Sequence, residues 1–199
     1  MSLTASEDTV DLLSRHAGGD AGALDLLLRR HRSFLHRIIR VRMDPQMRGR
    51  VDASDVIQET HIEIVRRMDD YLRQRPMSFR AWLHKSVCQQ LHIIWRRHRL
   101  AQSRSVEMEV PFDDISSRAL AQQLLGESPS QQVARMELAE RVHAAVSSLS
   151  ERHREILLMR NFESLTNSET AEILGLSQVA ASKRYARALL MLRSSLRGL

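Results

Sequence analysis

The segment LSERHREILLMRNFESLTNSETAEILGLSQVAASKRYARALLML, residues 149–192, is three helical stretches broken only where a short helix-turn-helix needs its breaks. Thr166 followed three residues on by Glu169 is a capping-box start. The short helix Asn167–Leu174 then stops at Gly175, a residue free to take positive φ. Ser177 caps the next helix, and along it Ala181, Tyr185, Ala188, Leu189 and Leu192 share one stripe. Gln178, Ser182, Lys183, Ala186 and Arg187 share the other, which is the stripe left to enter a major groove. An ordinary helical hairpin carries the same caps, so the rest of the chain has to decide between them.

Elsewhere the pattern is also helical. Hydrophobic residues make up 43% of 199 residues, with 7 Gly and 4 Pro, and no alternating β-branched run is long enough for a sheet. The expectation is an all-α protein of two small helical domains joined by a linker, the C-terminal one a helix-turn-helix. Leu24, Leu27, Leu28, Leu35, Ile38 and Ile39 mark a long amphipathic helix that ends before Pro45 and a turn at Gly49. A second helix starts at Asp52, with Ile57, Ile64 and Met68 inward and Asp52, Asp55, Gln58 and Glu59 near an exposed, acidic start that the helix dipole favours. A third runs from about Phe79 to Arg99, burying Leu83, Val87, Leu91 and Ile94. Its outer stripe is Lys85, Gln89, His92, Arg96 and Arg99.

Charge divides the chain in the same places. Residues 1–100 hold 18 basic and 12 acidic side chains, residues 101–130 hold 2 and 5, and residues 131–199 hold 10 and 7. Two basic modules therefore flank an acidic connector, which carries Val110-Pro111-Phe112-Asp113-Asp114 and Gly126-Glu127-Ser128-Pro129 and reads as a linker. All basic residues but Lys85 and Lys183 are arginine, whose planar fork suits phosphates and guanine edges, although a genome rich in G and C produces the same bias. The run Arg96-Arg97-His98-Arg99, with Trp82 and Trp95 beside it, suits single-stranded nucleic acid. For Trp82, next to Leu83, a place in the core is the simpler reading.

Other classes find less support. The lone Cys88 excludes an internal disulfide, and the N-terminus MSLTASEDTVDLL has neither a basic start nor an apolar run. No span approaches the roughly 18 apolar residues of a membrane helix, so a cytoplasmic protein is expected. His84, Cys88 and His92 lie at i, i+4 and i+8, but about 12 Å of helix axis separates the outer two, too far for one metal ion. Neither a Ser/His/Asp pattern nor a glycine-rich phosphate loop is present, and no enzyme activity, metal or cofactor is expected.

Taken in order, these motifs resemble an RNA polymerase sigma factor of the extracytoplasmic-function type in the sigma-70 family. Asp52-Ala53-Ser54-Asp55-Val56-Ile57-Gln58-Glu59-Thr60 resembles region 2.2, Phe79-Arg80-Ala81-Trp82-Leu83 the start of the region 2.4 helix, and Leu149–Leu192 region 4. The resemblance implies region 2 over 1–100, a linker over 101–130 and region 4 over 131–199. It implies that Asp52, Asp55, Gln58 and Glu59 face the clamp helices of core RNA polymerase. It implies that Asp70–Ser78 is the loop that takes a base flipped out of the minus-ten element, where the residues alone read as a plain loop with Pro76. Lys85, Gln89, His92, Arg96, Arg97 and Arg99 would lie along the melted strand. Gln178, Ser182, Lys183 and Arg187 would meet the minus-thirty-five duplex, with Arg184 on phosphate. Promoter DNA and core polymerase are the implied partners, with an anti-sigma factor as a further partner. Departures from the family occur at Gln89 and Ile93, where many relatives carry asparagine and aspartate, and at Ala181-Ser182-Lys183, where many carry Val-Lys/Arg-Ser. The rival reading is a helix-turn-helix regulator that does not bind polymerase.

Overall fold

The computed structural model describes residues 3–43, 52–102, 142 and 144–197. Every regular element among them is helical: α1 Leu3–Ala17, α2 Ala21–Arg42, α3 Ala53–Gln74, α4 Phe79–Gln102, α5 Glu151–Leu157, α6 Asn167–Leu174 and α7 Gln178–Arg197. Residues 144–147 are helical too, and a π-helical turn, Leu158–Phe162, continues α5. The turn at Pro45 and Gly49 and residues 103–130 of the connector lie outside the described residues.

The first unit is α1 to α4. Leu27, Leu35, Ile38 and Ile39 of α2, Ile64 and Met68 of α3 and Leu83 of α4 are almost wholly buried, as their helical spacing requires, and Leu24 and Leu91 pack at the edge. Each such side chain contributes about 1.5–3 kcal/mol by leaving water. Tyr71, Phe79 and Trp82 form an aromatic cluster, Tyr71 and Trp82 with ring centroids 4.7 Å apart, so Trp82 is a core residue. Helix α1 was not foreseen: its apolar residues are few, and only Leu12 and Leu13 turn inward onto α2 while Val10 is exposed. The α1–α2 turn is fixed by Asp20, whose carboxylate caps Gly22 N at 2.9 Å and pairs with Arg15 at 2.7 Å.

The second unit packs α5, α6 and α7 around Val146, Leu149, Ile156, Leu157, Ala171, Ala181, Ala188 and Leu192. Both units share side chains across their boundary: Met159 and Leu165 belong to the first unit's core, and Val41 of α2 to the second's.

Candidate polymerase and nucleic-acid surfaces

At the start of α3, Asp52 is the N-cap and accepts from Ser54 N at 2.9 Å. Burial of Val56, Ile57 and Thr60 turns Asp55 and Gln58 outward, and both are exposed. Glu59 is half-buried and reaches Arg97 of α4 at 3.5 Å. The acidic start is therefore a solvent-facing surface with one carboxylate tied to the basic helix beside it. An exposed pair of this kind contributes little to stability, so its worth lies in the surface it presents.

Between α3 and α4 lies a cavity of about 310 Å³ lined by Arg67, Tyr71, Met77, Trp82, Lys85 and Gln89 among others. Aromatic faces at its base and a cation and an amide at its rim can hold a flat, polar-edged group. The sequence expected a loop over Asp70–Ser78, but Asp70–Gln74 are helical and the connection is only Arg75–Ser78. Burial of Met68 and Tyr71 carries α3 on until Arg75, which takes the left-handed region at φ 38° ahead of Pro76, because the residue before a proline avoids the right-handed helix. The Tyr71 hydroxyl donates to Met77 O at 3.1 Å and pins the connection over the cavity.

The outer stripe of α4 is split by its partners. Lys85 and Gln89 are exposed at the cavity rim, and the Gln89 side-chain oxygen accepts from Arg67 at 3.1 Å. Further along, His92 is half-buried and 3.1 Å from Arg96, while Arg96 and Arg97 are exposed. Arg99 is in α4, with its side chain outside the described residues. His84 does not face His92 across a metal site, because it is buried and turned toward the second unit.

In the helix-turn-helix the capping box is complete: Glu169 N donates to Thr166 Oγ1 at 3.2 Å and Thr166 N to Glu169 Oε2 at 2.7 Å. Gly175 closes α6 at φ 64°, and Ala180 N donates to Ser177 Oγ at 3.1 Å. Ser182, Lys183 and Arg187 are exposed on one face of α7, and Arg184 is half-buried at its side. Burial first, then Arg184 and Arg187, push the nearby His153 imidazole below its ordinary value. Gln178 is exposed but already engaged, its amide donating to Ser168 Oγ at 3.2 Å and its carbonyl accepting from Asn167 at 2.9 Å. Leu189 corrects the expected stripe: it is 40% exposed, because the inward positions are Ala181, Ala188 and Leu192 with Tyr185 half-buried, and Leu189 falls one residue past that row.

Sequence reasoning missed the boundary between the units. Arg42 forks onto Glu155, with Nη1–Oε1 3.1 Å and Nη2–Oε2 2.9 Å, and sets Nε 2.5 Å from Glu163. Glu163 also meets His84 Nε2 at 2.8 Å. All four side chains are buried. Burial works against the His84 imidazolium, but the Cys88 sulfur and the Glu163 carboxylate outweigh it and raise the group to about 10. Burial likewise works against ionised Glu163, and Arg42 and His84 overcome it, holding the carboxyl down to about 2. The one signal available beforehand was Arg42 next to Val41 at the end of an apolar stripe, a charge where the pattern demands a hydrophobe.

Comparison with known proteins agrees with this architecture. Residues 27–100 match the Sigma-70 region 2 family and residues 139–192 the Sigma-70, region 4 family, together well over half of the chain. The RNA polymerase sigma factor CnrH of Cupriavidus metallidurans is 29% identical over 180 residues, covering 89% of this chain and 88% of that protein. The ECF RNA polymerase sigma factor SigM of Mycobacterium tuberculosis is 26% identical over 178 residues, covering 89% and 79%. Among solved structures, CnrH in complex with the cytosolic domain of CnrY superposes with a TM-score of 0.56 at 25% identity, over 96% of this chain and 97% of that one. An all-helical chain with an acidic α3 start, a rimmed cavity under a short turn and an open recognition helix, matched in both regions, belongs to the sigma-70 family, in its extracytoplasmic-function type.

Proposed function

We propose that this chain binds core RNA polymerase and directs it to specific promoters, with the first unit melting and reading the minus-ten element and the second reading the minus-thirty-five element. The activity is binding and strand capture rather than catalysis. Asp52, Asp55, Gln58 and Glu59 form the polymerase dock. The cavity under Arg75–Ser78 takes the flipped base, with Lys85 and Gln89 at its rim and Arg96, Arg97 and Arg99 further along the strand. Ser182, Lys183 and Arg187 enter the duplex groove, with Arg184 on phosphate and Gln178 at the edge of the contact. An anti-sigma factor is a further partner, in keeping with the CnrY domain found on the related CnrH.

The observation that carries this reading is one chain holding both a base-sized cavity rimmed by Lys85 and Gln89 and an exposed recognition face on α7. Opening a promoter breaks several base-pair steps at about 1.4 kcal/mol each, more than one short turn and one basic helix can offset, so the polymerase is required. Permanganate reactivity of unpaired thymines is expected with core polymerase plus this chain and not with the chain alone. Asp55→Arg with Gln58→Ala is expected to weaken competition for core while leaving helicity intact. Melting by the isolated chain, or a chain that never travels with core, would return the protein to the class of ordinary helix-turn-helix regulators.

A further inference from the structure

Residues 142–199 contain five acidic side chains, Glu151, Glu155, Glu163, Glu169 and Glu172, and four of them point into the first unit. Glu155 and Glu163 take Arg42 and His84 in the buried cluster. Glu169 sits 2.8 Å from Arg80 Nε, and the other end of that guanidinium donates to Ser164 O at 2.9 Å. Glu172 accepts from Ser78 N at 2.8 Å, at the last residue of the Arg75–Ser78 connection, and Ile173, Leu174 and Met77 pack together along the same seam. Burial raises the Tyr71 phenol, with Arg75 opposing and Glu172 adding, which puts the Glu172 carboxylate within the field of the cavity wall. The acceptors of the second unit thus occupy the cations and the free amide that border the cavity of the first.

We infer that the free chain is held closed by its own helix-turn-helix unit: Glu155, Glu163, Glu169 and Glu172 dock on Arg42, His84, Arg80 and the Ser78 amide, cover the turn over the cavity, and must let go before that turn can read a promoter. The inference rests on the proposal that Arg75–Ser78 takes the minus-ten base. The recognition face of α7 stays exposed in the closed form, so closure withholds one reading surface and leaves the other available. A protein whose competent form is a minor fraction binds its partner more weakly by that fraction, and loosening the contact restores the affinity.

The test uses the full chain. Glu172 is exposed, so Glu172→Lys leaves the cores untouched while removing one charge-assisted contact and adding repulsion. Small-angle scattering of the free wild-type chain should give a compact radius of gyration of about 16 Å, and Glu172→Lys and Arg80→Glu should each enlarge it with unchanged helicity by circular dichroism. Glu172→Lys should also bind core polymerase about fivefold more tightly. An already extended wild-type chain, scattering that neither substitution changes, or expansion with no gain in core affinity would each overturn closure. A wild-type chain that fails to bind core at all would instead count against the proposed function, and the scattering comparison would still decide whether the chain is closed.

Discussion

Replacing Arg42 by alanine removes the single cation that neutralises two buried carboxylates, Glu155 and Glu163, and leaves His84 as the only partner of the latter. Stripping one member from a buried ion network costs about 3–5 kcal/mol, because the charge left behind stays out of water. For a chain of this length that corresponds to a fall in melting temperature of roughly 6–20 °C. Arg42→Met combined with Glu163→Leu removes the charges together, and an apolar replacement of similar volume is near neutral, within about 2 kcal/mol of wild type. The two single changes should therefore sum to several kcal/mol more than the pair. Urea unfolding resolves where the loss falls: both tryptophans, Trp82 and Trp95, are on α4, so their fluorescence follows the first unit, whereas far-ultraviolet circular dichroism follows both. In wild type the two curves should coincide, and in Arg42→Ala they should separate as the units lose their common charge cluster. A cost below about 1 kcal/mol for Arg42→Ala, or single costs that add up to the double, would refute the account of a buried network.

Stability should peak near pH 6.5. His84, raised from 6.5 to about 10 in the fold, contributes fully below 6.5 and loses its contribution as pH climbs through 10. His31, pushed down to about 4 by burial first and then by Arg80 and Arg30, makes the fold lose stability as pH falls from 6.5 through 4. Urea midpoints across this range check both limbs, and His84→Gln should flatten the alkaline one. Thr166→Ala breaks a complete capping box and should cost about 1 kcal/mol in thermal unfolding. Lys183→Ala and Arg187→Ala should each lose about 1–3 kcal/mol of duplex binding if they touch bases. An equal loss on promoters with an intact and a scrambled minus-thirty-five element would assign them to phosphate instead.

The parts of this fold that local chemistry controls were legible. Asp52, Thr166, Gly175 and Ser177 mark helix ends through hydrogen bonds to atoms two or three residues away or through a left-handed φ, and each does so in the structure. The apolar stripes of α2, α3 and α4 were readable for the same reason, since period alone fixes which residues face a neighbour. Helix α1 was not, because two inward leucines are too few to set a period. The turn at Arg75–Ser78 proved shorter than expected because Tyr71 finds its burial among Phe79 and Trp82, ring partners supplied by another helix. The charge cluster joins Arg42 to side chains 113 and 121 positions away, and no window of sequence contains both ends. The cavity under the turn was implied only by the resemblance: Lys85 and Gln89 lie on the stripe that had been read, but Arg67 and Tyr71 complete it from α3.

The π-helical turn Leu158–Phe162 works as a one-residue spacer. A π turn spends one more residue per revolution than an α turn, so everything after it is rotated relative to α5. Deleting a single residue there would restore ordinary helical winding and swing the following position by about 100° about the axis. Glu163, wholly buried at the end of that turn, would then leave the row that Arg42 and His84 await, although no charged residue had been removed. The helix-turn-helix beyond it would keep its caps and its own apolar contacts. The count of residues between Leu157 and Glu163 is therefore a phase setting, and a variant shortened by one residue would carry every charge of the cluster yet be unable to assemble it.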